Sequence, residues 1–414
     1  MTSSLKRPIS SIREISPPPP QKSRKQPTGA PPAPHASDVQ SIRDQKGALR
    51  DLTTLLRIYS WNVNGIAPLL QRPITSFFSG APQGSTSRPS TPLRSFLRRH
   101  KWPQVLCLQE VKIAPRDLAT QRAVEQAVND PDDEEGPEYS VRFCLPRDRH
   151  NARGFGGKMY GVATIVQSSL LEPCPLRTPR LTVPHRGTAT ATTTTRQVSW
   201  DAEGRVLVTT LPPLQLAILN IYAVNGTDSA YRDPTTGRVA GTRHERKRAF
   251  HALLLAESAA LEKAGLDVLL VGDLNVALAR VDSHPFLRTA APHAVSRADF
   301  VAKFLAAPGV TAEEPAGDPT QRDPGSLHAV DTFRYFHGPT ARRYTYYPRH
   351  KPWGSGCDRV DLMLASRRLV KHRKALVEAD ILDSELERGP SDHVPLYVIL
   401  DLEKMAAPAP SSLP

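Results

Sequence analysis

An acidic residue and an amide residue stand two positions apart at the end of a short apolar run. Residues 269–277 read Leu-Leu-Val-Gly-Asp-Leu-Asn-Val-Ala, which places Asp273 and Asn275 directly after the apolar residues. Side chains two positions apart in a β-strand point the same way, so both are expected to face one site at the end of the strand. A carboxylate that activates a nucleophile, beside an amide that binds phosphate oxygens, suits phosphoester hydrolysis. Gly-Asp after a strand is also typical of an ordinary turn.

Similar polar clusters follow other apolar runs. Asn62 and Asn64 end the first run, where a plain Asn-Gly turn is the competing interpretation. Glu110 directly follows a strongly apolar run, and it suits either a ligand for Mg²⁺ or a solvated strand end. Tyr222 and Asn225 end another run, and a phenol there could donate to a phosphate oxygen. Taken alone, the tyrosine could equally be an ordinary half-buried residue.

Two acidic motifs lie near the end of the sequence. Asp358 and Asp361 flank Arg359 and Val360, and the pair Asp392-His393 stands on a turn before the last apolar run. A lone histidine is more often structural than catalytic. A second acid that holds the imidazole reverses that expectation and favours acid–base chemistry.

Short strands must position these residues. The apolar runs are 4–8 residues long and rich in Val, Ile, Leu or Tyr, which is typical of strands. They cover residues 55–59, 105–108, 162–166, 206–210, 216–222, 268–271, 360–364 and 394–400. Helices are predicted over residues 91–100 and 243–263, and the second has an apolar face that contains Phe250 and Leu254. No internal repeat is visible. Many strands with few helices predict a β-sandwich flanked by helices.

Composition favours a polyanionic partner and gives no sign of a membrane span. The chain has 414 residues with 39% hydrophobic residues, a formal net charge of +13 and an isoelectric point near 9.7. No apolar run approaches the ~20 residues that cross a bilayer, so we expect a soluble protein without membrane association. The four cysteines show no regular spacing, which favours free thiols in a reducing compartment. The basic excess suits nucleic acid but does not require it.

The sequence divides into a central domain and two tails. Residues 1–52 are basic and Pro-rich, and we expect them to be disordered. Basic clusters there favour nuclear import, with the mitochondrion as the second choice because prolines would interrupt a presequence helix. A catalytic domain is expected over residues 53–403 and a disordered tail over 404–414. Low-complexity stretches predict inserted loops near residues 80–92, 130–138, 188–195 and 308–326.

Six motifs occur in a specific order along residues 55–402. They read Trp-Asn-Val-Asn-Gly, Leu-Gln-Glu-x-Lys, Tyr-x-x-Asn, Gly-Asp-Leu-Asn-Val-Ala, Asp-Arg-Val-Asp and Ser-Asp-His. This series resembles the endonuclease/exonuclease/phosphatase superfamily, and within it the exonuclease III-type abasic-site endonucleases. The resemblance implies an α/β fold of the DNase I-like kind, a four-layered α/β-sandwich in which two packed, mainly antiparallel sheets are flanked by helices.

The resemblance also implies a metal site. Glu110 corresponds to the principal Mg²⁺ ligand, and Asn64 and Asp392 would complete or adjust the site. Mn²⁺ is the alternative ion. Mg²⁺ retains several waters, so one or two carboxylates from the protein suffice to hold it.

Catalytic and phosphate-binding roles follow from the same motifs. His393, oriented by Asp361, would contact the scissile phosphate or its attacking water, and Asp273 would orient or deprotonate that water. The residues that would hold phosphate oxygens or line the site are Asn275, Tyr222, Asn62 and Asn225. The sequence leaves open whether Asp273, His393 or Tyr222 takes the proton.

An aromatic pocket wall is the least regular part of the resemblance. Tyr346 and Tyr347 stand where the abasic-site endonucleases usually carry an aromatic pair, and with Val360 they could wall a pocket for a flipped-out, base-free sugar. Asp358 stands where tryptophan is common, and Leu362 where tyrosine is common. These differences concern the abasic-site preference rather than the phosphodiesterase site.

The predicted function is therefore a Mg²⁺-dependent DNA repair nuclease. It would cut on the 5′ side of abasic sites, with 3′-phosphodiesterase or 3′–5′ exonuclease activity, as a monomer acting on double-stranded DNA with abasic or 3′-blocked sites. The alternative keeps the chemistry and changes the substrate, as in a tyrosyl-DNA phosphodiesterase, a deadenylase or a phosphoinositide phosphatase. A catalytically silent nucleic-acid-binding module is the third interpretation, because fold alone does not fix function.

Overall fold

A computed structural model describes most of the chain outside the predicted tails. The described residues are 54–72, 90–130, 136–152, 160–171, 192–305 and 326–406. The predicted tail over residues 1–52, most of the predicted loops and residues 407–414 lie outside this part. All of the described residues belong to one unit, Leu52–Pro414.

The apolar runs form strands, and further strands join them. In chain order the strands are β1 Leu55–Asn62, β2 Val105–Gln109, β3 Tyr139–Cys144, β4 Val162–Gln167, β5 Thr194–Gln197, β6 Val206–Leu211, β7 Leu216–Tyr222, β8 Ala230–Arg232, β9 Val239–Thr242, β10 Asp267–Asp273, β11 Ser283–His284, β12 Val330–Asp331, β13 Cys357–Asp358, β14 Asp361–Ala365, β15 Leu376–Ile381 and β16 Leu396–Asp401. The helices are α1 Ala67–Leu70, α2 Pro92–Arg99, α3 Leu118–Val128, α4 Arg243–Lys263, α5 Ala291–Phe304, α6 Thr332–His337, α7 Glu385–Arg388 and α8 Leu402–Ala406.

Two six-stranded sheets share one pattern of strand directions. The first sheet has the order β15-β16-β1-β2-β4-β3, and the second has the order β12-β14-β10-β7-β6-β5. In each sheet the two central strands are parallel, β1 with β2 and β7 with β10, and every other neighbouring pair is antiparallel. The carboxyl ends of parallel neighbours meet at one edge. In each sheet the carboxyl ends of the two central strands therefore lie side by side.

Three apolar layers hold the sheets and helices together. Leu269 and Val271 of β10 point into the layer between the sheets, whereas Val268 and Leu270 pack beneath α4 and α5. A third layer packs α1, α2 and α3 on the outer face of the first sheet. Each fully buried aliphatic side chain contributes about 1.5–3 kcal/mol by leaving water. The predicted four-layered α/β-sandwich is confirmed.

A small polar network crosses the layer between the sheets. Nε2 of Gln109 on β2 donates to Oδ1 of Asn220 on β7 at 2.8 Å. Nδ2 of Asn220 in turn donates to the backbone oxygen of Ala163 on β4 at 2.8 Å. Both side chains are fully buried, so each must be paired to avoid a desolvation cost. The network fixes how the central strands of the two sheets face each other.

Several predictions about elements were incomplete. The helix over residues 243–263 has the predicted bounds, and a capping box between Thr242 and Glu245 begins it. The predicted loop over 188–195 instead contains the start of β5, an edge strand with mostly exposed side chains. The predicted domain end at residue 403 falls inside α8, whose Met405 is buried. Apolar runs do not reveal an exposed edge strand or a one-turn helix.

No helix in the described residues is both long and apolar enough to cross a membrane. Three of the cysteines, Cys107, Cys144 and Cys357, are buried free thiols. Cys174 lies outside the described residues.

Candidate active site

The carboxyl ends of the four central strands meet across the two sheets. Asn62 ends β1 and is fully buried. Its Nδ2 donates to Oε1 of Glu110, just after β2, at 3.1 Å and to Oδ2 of Asp273, the last residue of β10, at 3.0 Å. One amide thus joins a carboxylate of each sheet. The predicted cluster at these strand ends is present as a set of contacts.

Left-handed backbone aims these side chains. Asn64, Glu110 and Asn275 have φ values of 50°, 50° and 53°. In each sheet the residue that ends the strand also holds the turn. Oδ1 of Asn62 accepts the backbone N–H of Asn64 at 3.0 Å, and Oδ1 of Asp273 accepts that of Asn275 at 2.9 Å. Non-glycine residues with positive φ are uncommon and concentrate at functional sites.

Gly272 explains why glycine precedes Asp273. Its φ is +133°, and a Cβ atom at this position would lie 2.1 Å from the backbone oxygen of Ile221 on β7. Any side chain would therefore push β10 away from β7. The close approach allows Asp273 to pair in register with Tyr222.

His393 and Asp361 form a buried pair beside this cluster. Nδ1 of His393 lies 2.7 Å from Oδ2 of Asp361. Burial alone would lower the pKa of His393, but Asp361, through its charge and hydrogen bond, and the nearby Asp273 and Asp392 raise it to about 10. The imidazole is therefore charged at neutral pH, which leaves Nε2–H as a donor.

The surroundings of Asp273 disfavour its charged form. It is fully buried and stands directly opposite Asp361 in the register of β10 and β14. Burial, followed by the charges of Asp361 and Glu110, raises the pKa of Asp273 to about 7, although His393 opposes the shift. Two carboxylates this close disfavour simultaneous ionisation. Asp273 is thus poised to exchange a proton near neutral pH.

Glu110 stays ionised in a different setting. Its Oε2 lies 2.9 Å from Nζ of Lys112. Burial opposes ionisation, but the charge and hydrogen bond of Lys112 and the hydrogen bond from Asn62 outweigh it and hold the pKa of Glu110 below its usual value. Nζ of Lys112 also donates to Oδ1 of Asn64.

Tyr222 is held by a buried arginine. Nη1 of Arg205 donates to the backbone oxygen of Tyr222 at 3.1 Å, and the guanidinium lies 4.9 Å from the ring centre. Arg205 is in turn paired with Glu203 at 2.9 Å. Burial first, and then the charge of Glu110, raises the pKa of Tyr222 well above its usual value. The phenol therefore keeps its proton and acts as a donor.

These groups open into one cavity of about 240 Å³. The predicted site residues that line it are Glu110, Tyr222, Asn225, Asp273, Asn275, Tyr346, Val360, Asp392 and His393. Asn62 and Asp361 lie beneath the lining and contact it through the hydrogen bonds already described. Most of the predicted set is therefore brought together.

Two predicted residues are placed elsewhere. Asn64 does not line the cavity, and its Oδ1 is occupied by Lys112. Tyr347 is buried in the core, stacked on Trp353 with ring centres 3.7 Å apart, and its hydroxyl donates to Asp383. Consecutive residues on an extended segment point to opposite sides. Tyr346 therefore faces the cavity and packs on His393 at 5.1 Å, whereas Tyr347 cannot.

The donor set suits a hard divalent cation. Ligand atoms of Asp273, Asp361 and His393 all lie within 4.8 Å of one another. Oδ1 of Asp361 is buried without a hydrogen-bond partner in the described structure. Carboxylate oxygens are the ligands that a hard cation such as Mg²⁺ prefers. Glu110 and Asp392 both line the cavity and supply such oxygens.

Basic residues outside every predicted motif also reach the cavity. Lys247 from α4, Arg288 from the loop after β11, and His293 and Arg297 from α5 also line the cavity. Lys247 lies in a helix rich in charged residues, which a sequence pattern indicates only as a solvated face. Arg288 and Arg297 stand outside every motif. Only the folded structure shows that Lys247, Arg288 and Arg297 line the same cavity as the acidic groups.

Carboxylates, an imidazole and a phenol thus line one cavity at the strand ends of a four-layered sandwich. The sequence matches the Endonuclease/Exonuclease/phosphatase family over residues 59–393. The chain therefore belongs to this family, as the motifs predicted, and is a phosphodiesterase-type hydrolase.

Solved structures with a similar chain come from several organisms. The catalytic domain of Xenopus laevis APE2 is 20% identical, with 84% of this chain and 92% of that chain covered and a TM-score of 0.49. An AP endonuclease from Archaeoglobus fulgidus is 19% identical, with 84% and 99% covered and a TM-score of 0.48. The 3′–5′ exonuclease NExo from Neisseria meningitidis is 16% identical, with 84% and 100% covered and a TM-score of 0.49. A search of curated proteins gives no match.

Proposed function

We propose that this chain is a Mg²⁺-dependent DNA repair nuclease that hydrolyses the phosphodiester bond 5′ to abasic sites. A 3′-phosphodiesterase or 3′–5′ exonuclease activity at the same site is part of the proposal. The observation that carries it is the joint placement of Asp273, with its pKa raised to about 7, and the charged His393 in one cavity. A poised base beside a fixed cation is what phosphodiester hydrolysis requires.

Each residue has a role that follows from its contacts. Asp273 accepts a proton from the attacking water, because its raised pKa matches neutral pH. His393, oriented by Asp361, donates Nε2–H to a non-bridging phosphate oxygen. The hydroxyl of Tyr222 donates a hydrogen bond to the same phosphate. Asn275, whose Nδ2 donates to the backbone oxygen of Ala223 at 2.9 Å, lines the site with its amide fixed.

The cation would be held by carboxylates. Glu110 and Asp392 are the residues of the cavity that would bind it, and the unpartnered Oδ1 of Asp361 lies close by. A bound Mg²⁺ would polarise the phosphate and stabilise the charge that develops on its oxygens.

The pocket wall supports the abasic-site preference. Tyr346 and Val360 both line the cavity beside His393. An aromatic ring and a small aliphatic side chain suit the apolar face of a deoxyribose without a base. The volume of about 240 Å³ leaves room for a sugar and its phosphate.

A matched pair of duplexes tests the proposal. One carries a single tetrahydrofuran abasic analogue and the other is undamaged, and each is incubated with Mg²⁺ and with EDTA. We expect incision 5′ to the analogue with Mg²⁺, little cleavage of the undamaged strand, and none with EDTA. Absence of incision at the analogue would refute the abasic-site assignment.

Further substrates separate the alternatives within the family. Duplexes with a 3′-phosphate or a 3′-tyrosyl end, a poly(A) tail and a phosphoinositide are tested under the same conditions. Preferred turnover of one of these would keep the phosphodiesterase chemistry and move the substrate to that class.

A further inference from the structure

The cavity is lined by groups of both charges. Glu110, Asp273, Asp358 and Asp392 line it together with Lys247, Arg288 and Arg297. The carboxylates and His393 account for a single reacting phosphate. They give no role to Lys247 and the two arginines.

Lys247 is a buried cation that forms no ion pair with a described residue. Its side chain is only 4% exposed, and Nζ donates to the backbone oxygen of Asn275 at 2.6 Å. In the described part of the chain no carboxylate lies within ion-pair distance of it. Burial, with the charges of Arg288 and Arg297, lowers its pKa to about 8, and Asp273 opposes that shift. A buried charge of this kind is normally paired, so a bound anion would relieve the cost.

Arg288 is held so that its guanidinium reaches the cavity. Nη2 of Arg297 donates to the backbone oxygen of Arg288 at 2.7 Å, while Nε of Arg297 donates to that of Ala277 at 2.7 Å. The Arg288 side chain is 57% exposed, and its nearest carboxylate, Asp358, lies 3.6 Å away. That distance exceeds a good hydrogen bond, so its donors remain available to a ligand.

An exposed aromatic residue precedes Arg288 in the sequence. Phe286 is 75% exposed and stands two residues before Arg288. An exposed ring beside cations is typical of surfaces that bind a nucleic-acid strand, because a base stacks on the ring while cations hold the backbone. A nucleic-acid strand also carries a further phosphate next to any scissile one.

We propose that Lys247 and Arg288 form a second phosphate subsite, which binds the phosphate adjacent to the scissile one on the cleaved strand. Arg297 is a positioning residue that fixes the Arg288 loop. The inference rests on the proposed nuclease function for the nature of the ligand. It goes beyond that function because it states which phosphate of the cleaved strand binds at Lys247 and Arg288.

Binding without turnover tests the subsite. The full chain is titrated in EDTA with a duplex that carries one tetrahydrofuran analogue, and the dissociation constant is measured by fluorescence anisotropy at several monovalent salt concentrations. We expect Arg288→Ala and Lys247→Met each to weaken binding about tenfold, as for the loss of one charge-assisted hydrogen bond. Each should also reduce the salt slope by about 1. Lys263→Met, an exposed lysine at the far end of α4, is the matched control and should change neither.

Replacing one phosphate at a time by an uncharged analogue identifies the phosphate that the subsite contacts. Single methylphosphonates are placed at each phosphate around the analogue. At the contacted phosphate, the methylphosphonate should weaken binding by the native chain and by the Lys263→Met variant. It should cause little further loss of affinity in the Arg288→Ala variant, which already lacks the contact. Additive losses at every scanned phosphate would overturn the proposal. Arg288 is exposed, so this variant remains informative even if Lys247→Met fails to fold.

Cleavage of the same duplexes with Mg²⁺ separates the two proposals. A non-additive effect of Arg288→Ala and one methylphosphonate, without incision of any nucleic acid, would support the subsite and refute the proposed nuclease function. Incision with no such effect, and with Arg288→Ala indistinguishable from Lys263→Met, would keep the nuclease and refute the subsite.

Discussion

The two sheets offer equivalent strand ends to the site but give their carboxylates different neighbours. Glu110 follows β2 of the first sheet and faces the ammonium group of Lys112. Asp273 ends β10 of the second sheet and faces Asp361. The pKa of Glu110 is therefore lowered, whereas that of Asp273 is raised to about 7.

This difference divides the chemistry between the sheets. An acid kept ionised suits the binding of a cation, and an acid near neutral pKa suits proton transfer. Asn62 donates to both, so the two roles are coupled by one amide. The arrangement of strand ends is the same in both sheets. The charge of the neighbouring side chain sets the pKa of each carboxylate and therefore its role.

The largest expected effect comes from removing the base of the second sheet. Asp273→Asn should lower kcat by about 10³-fold, within the range of general base catalysis. Thermal unfolding should show only a small change in stability, because relief of the repulsion with Asp361 offsets the loss of one hydrogen-bond acceptor. Single-turnover cleavage of the analogue duplex measures the effect, with the exposed Asp228→Asn as the control. A rate near that of the native chain would contradict the assignment of the base.

The next effect concerns the carboxylate of the first sheet. Glu110→Gln keeps the shape and removes the charge, so we expect cleavage to fall about 10²-fold and the Mg²⁺ concentration for half-maximal rate to rise. A Mg²⁺ titration measures both, with the exposed Glu125→Gln as the control. If Asp273→Asn shifted the metal dependence more than Glu110→Gln, the division of roles would be reversed.

Lys112, the neighbour that lowers the pKa of Glu110, can itself be replaced. Lys112→Met takes away the charge that lowers the pKa of Glu110, so that pKa should rise. Because Glu110 must be ionised, activity should then be lost at a higher pH as the pH falls. The acid limb of the pH–rate profile measures the shift. An unchanged limb would show that Lys112 does not set the charge state of Glu110.

The smallest effects come from the hydroxyls that hold the site loops. Oγ of Ser391 donates to the backbone oxygen of Asn62 at 2.6 Å and accepts the N–H of His393 at 3.1 Å. Oγ1 of Thr345 accepts the N–H groups of Val360 and Asp361, each at 3.0 Å. Ser391→Ala and Thr345→Val should each lower the free energy of unfolding by about 1–2 kcal/mol.

Denaturant unfolding tests both tethers, with the exposed Ser355→Ala as the control. Both variants should also reduce kcat several-fold, because His393 and Asp361 lose their fixed positions. A loss of stability without any change in kcat would show that the tethers support the fold alone.

Much of the site was predictable because local sequence creates strand ends. Asp273 and Asn275 follow an apolar run that is buried on both faces, and the left-handed turn after it needs only local hydrogen bonds. The same holds for Asn62 and Glu110. The family motifs added Asp361 and His393, which lie on different elements and whose contact no local rule predicts.

One error arose where orientation depends on packing. The aromatic pair was read as one wall, yet Tyr346 faces the cavity and Tyr347 stacks on Trp353 in the core. Asn64 stays a predicted ligand, although its Oδ1 accepts a hydrogen bond from Lys112 and it does not line the cavity. The spacing of the motifs encodes neither of these contacts.

The sequence by itself determined the sandwich class, the family and most of the acidic and amide groups, because strand periodicity and motif order are local properties. Only the tertiary structure decided the charge state of the two carboxylates, since each pKa depends on neighbours from distant segments. It alone placed Lys247 and Arg288 in the same cavity as the acids, because α4 and the loop after β11 are separate segments that come together only when the chain folds.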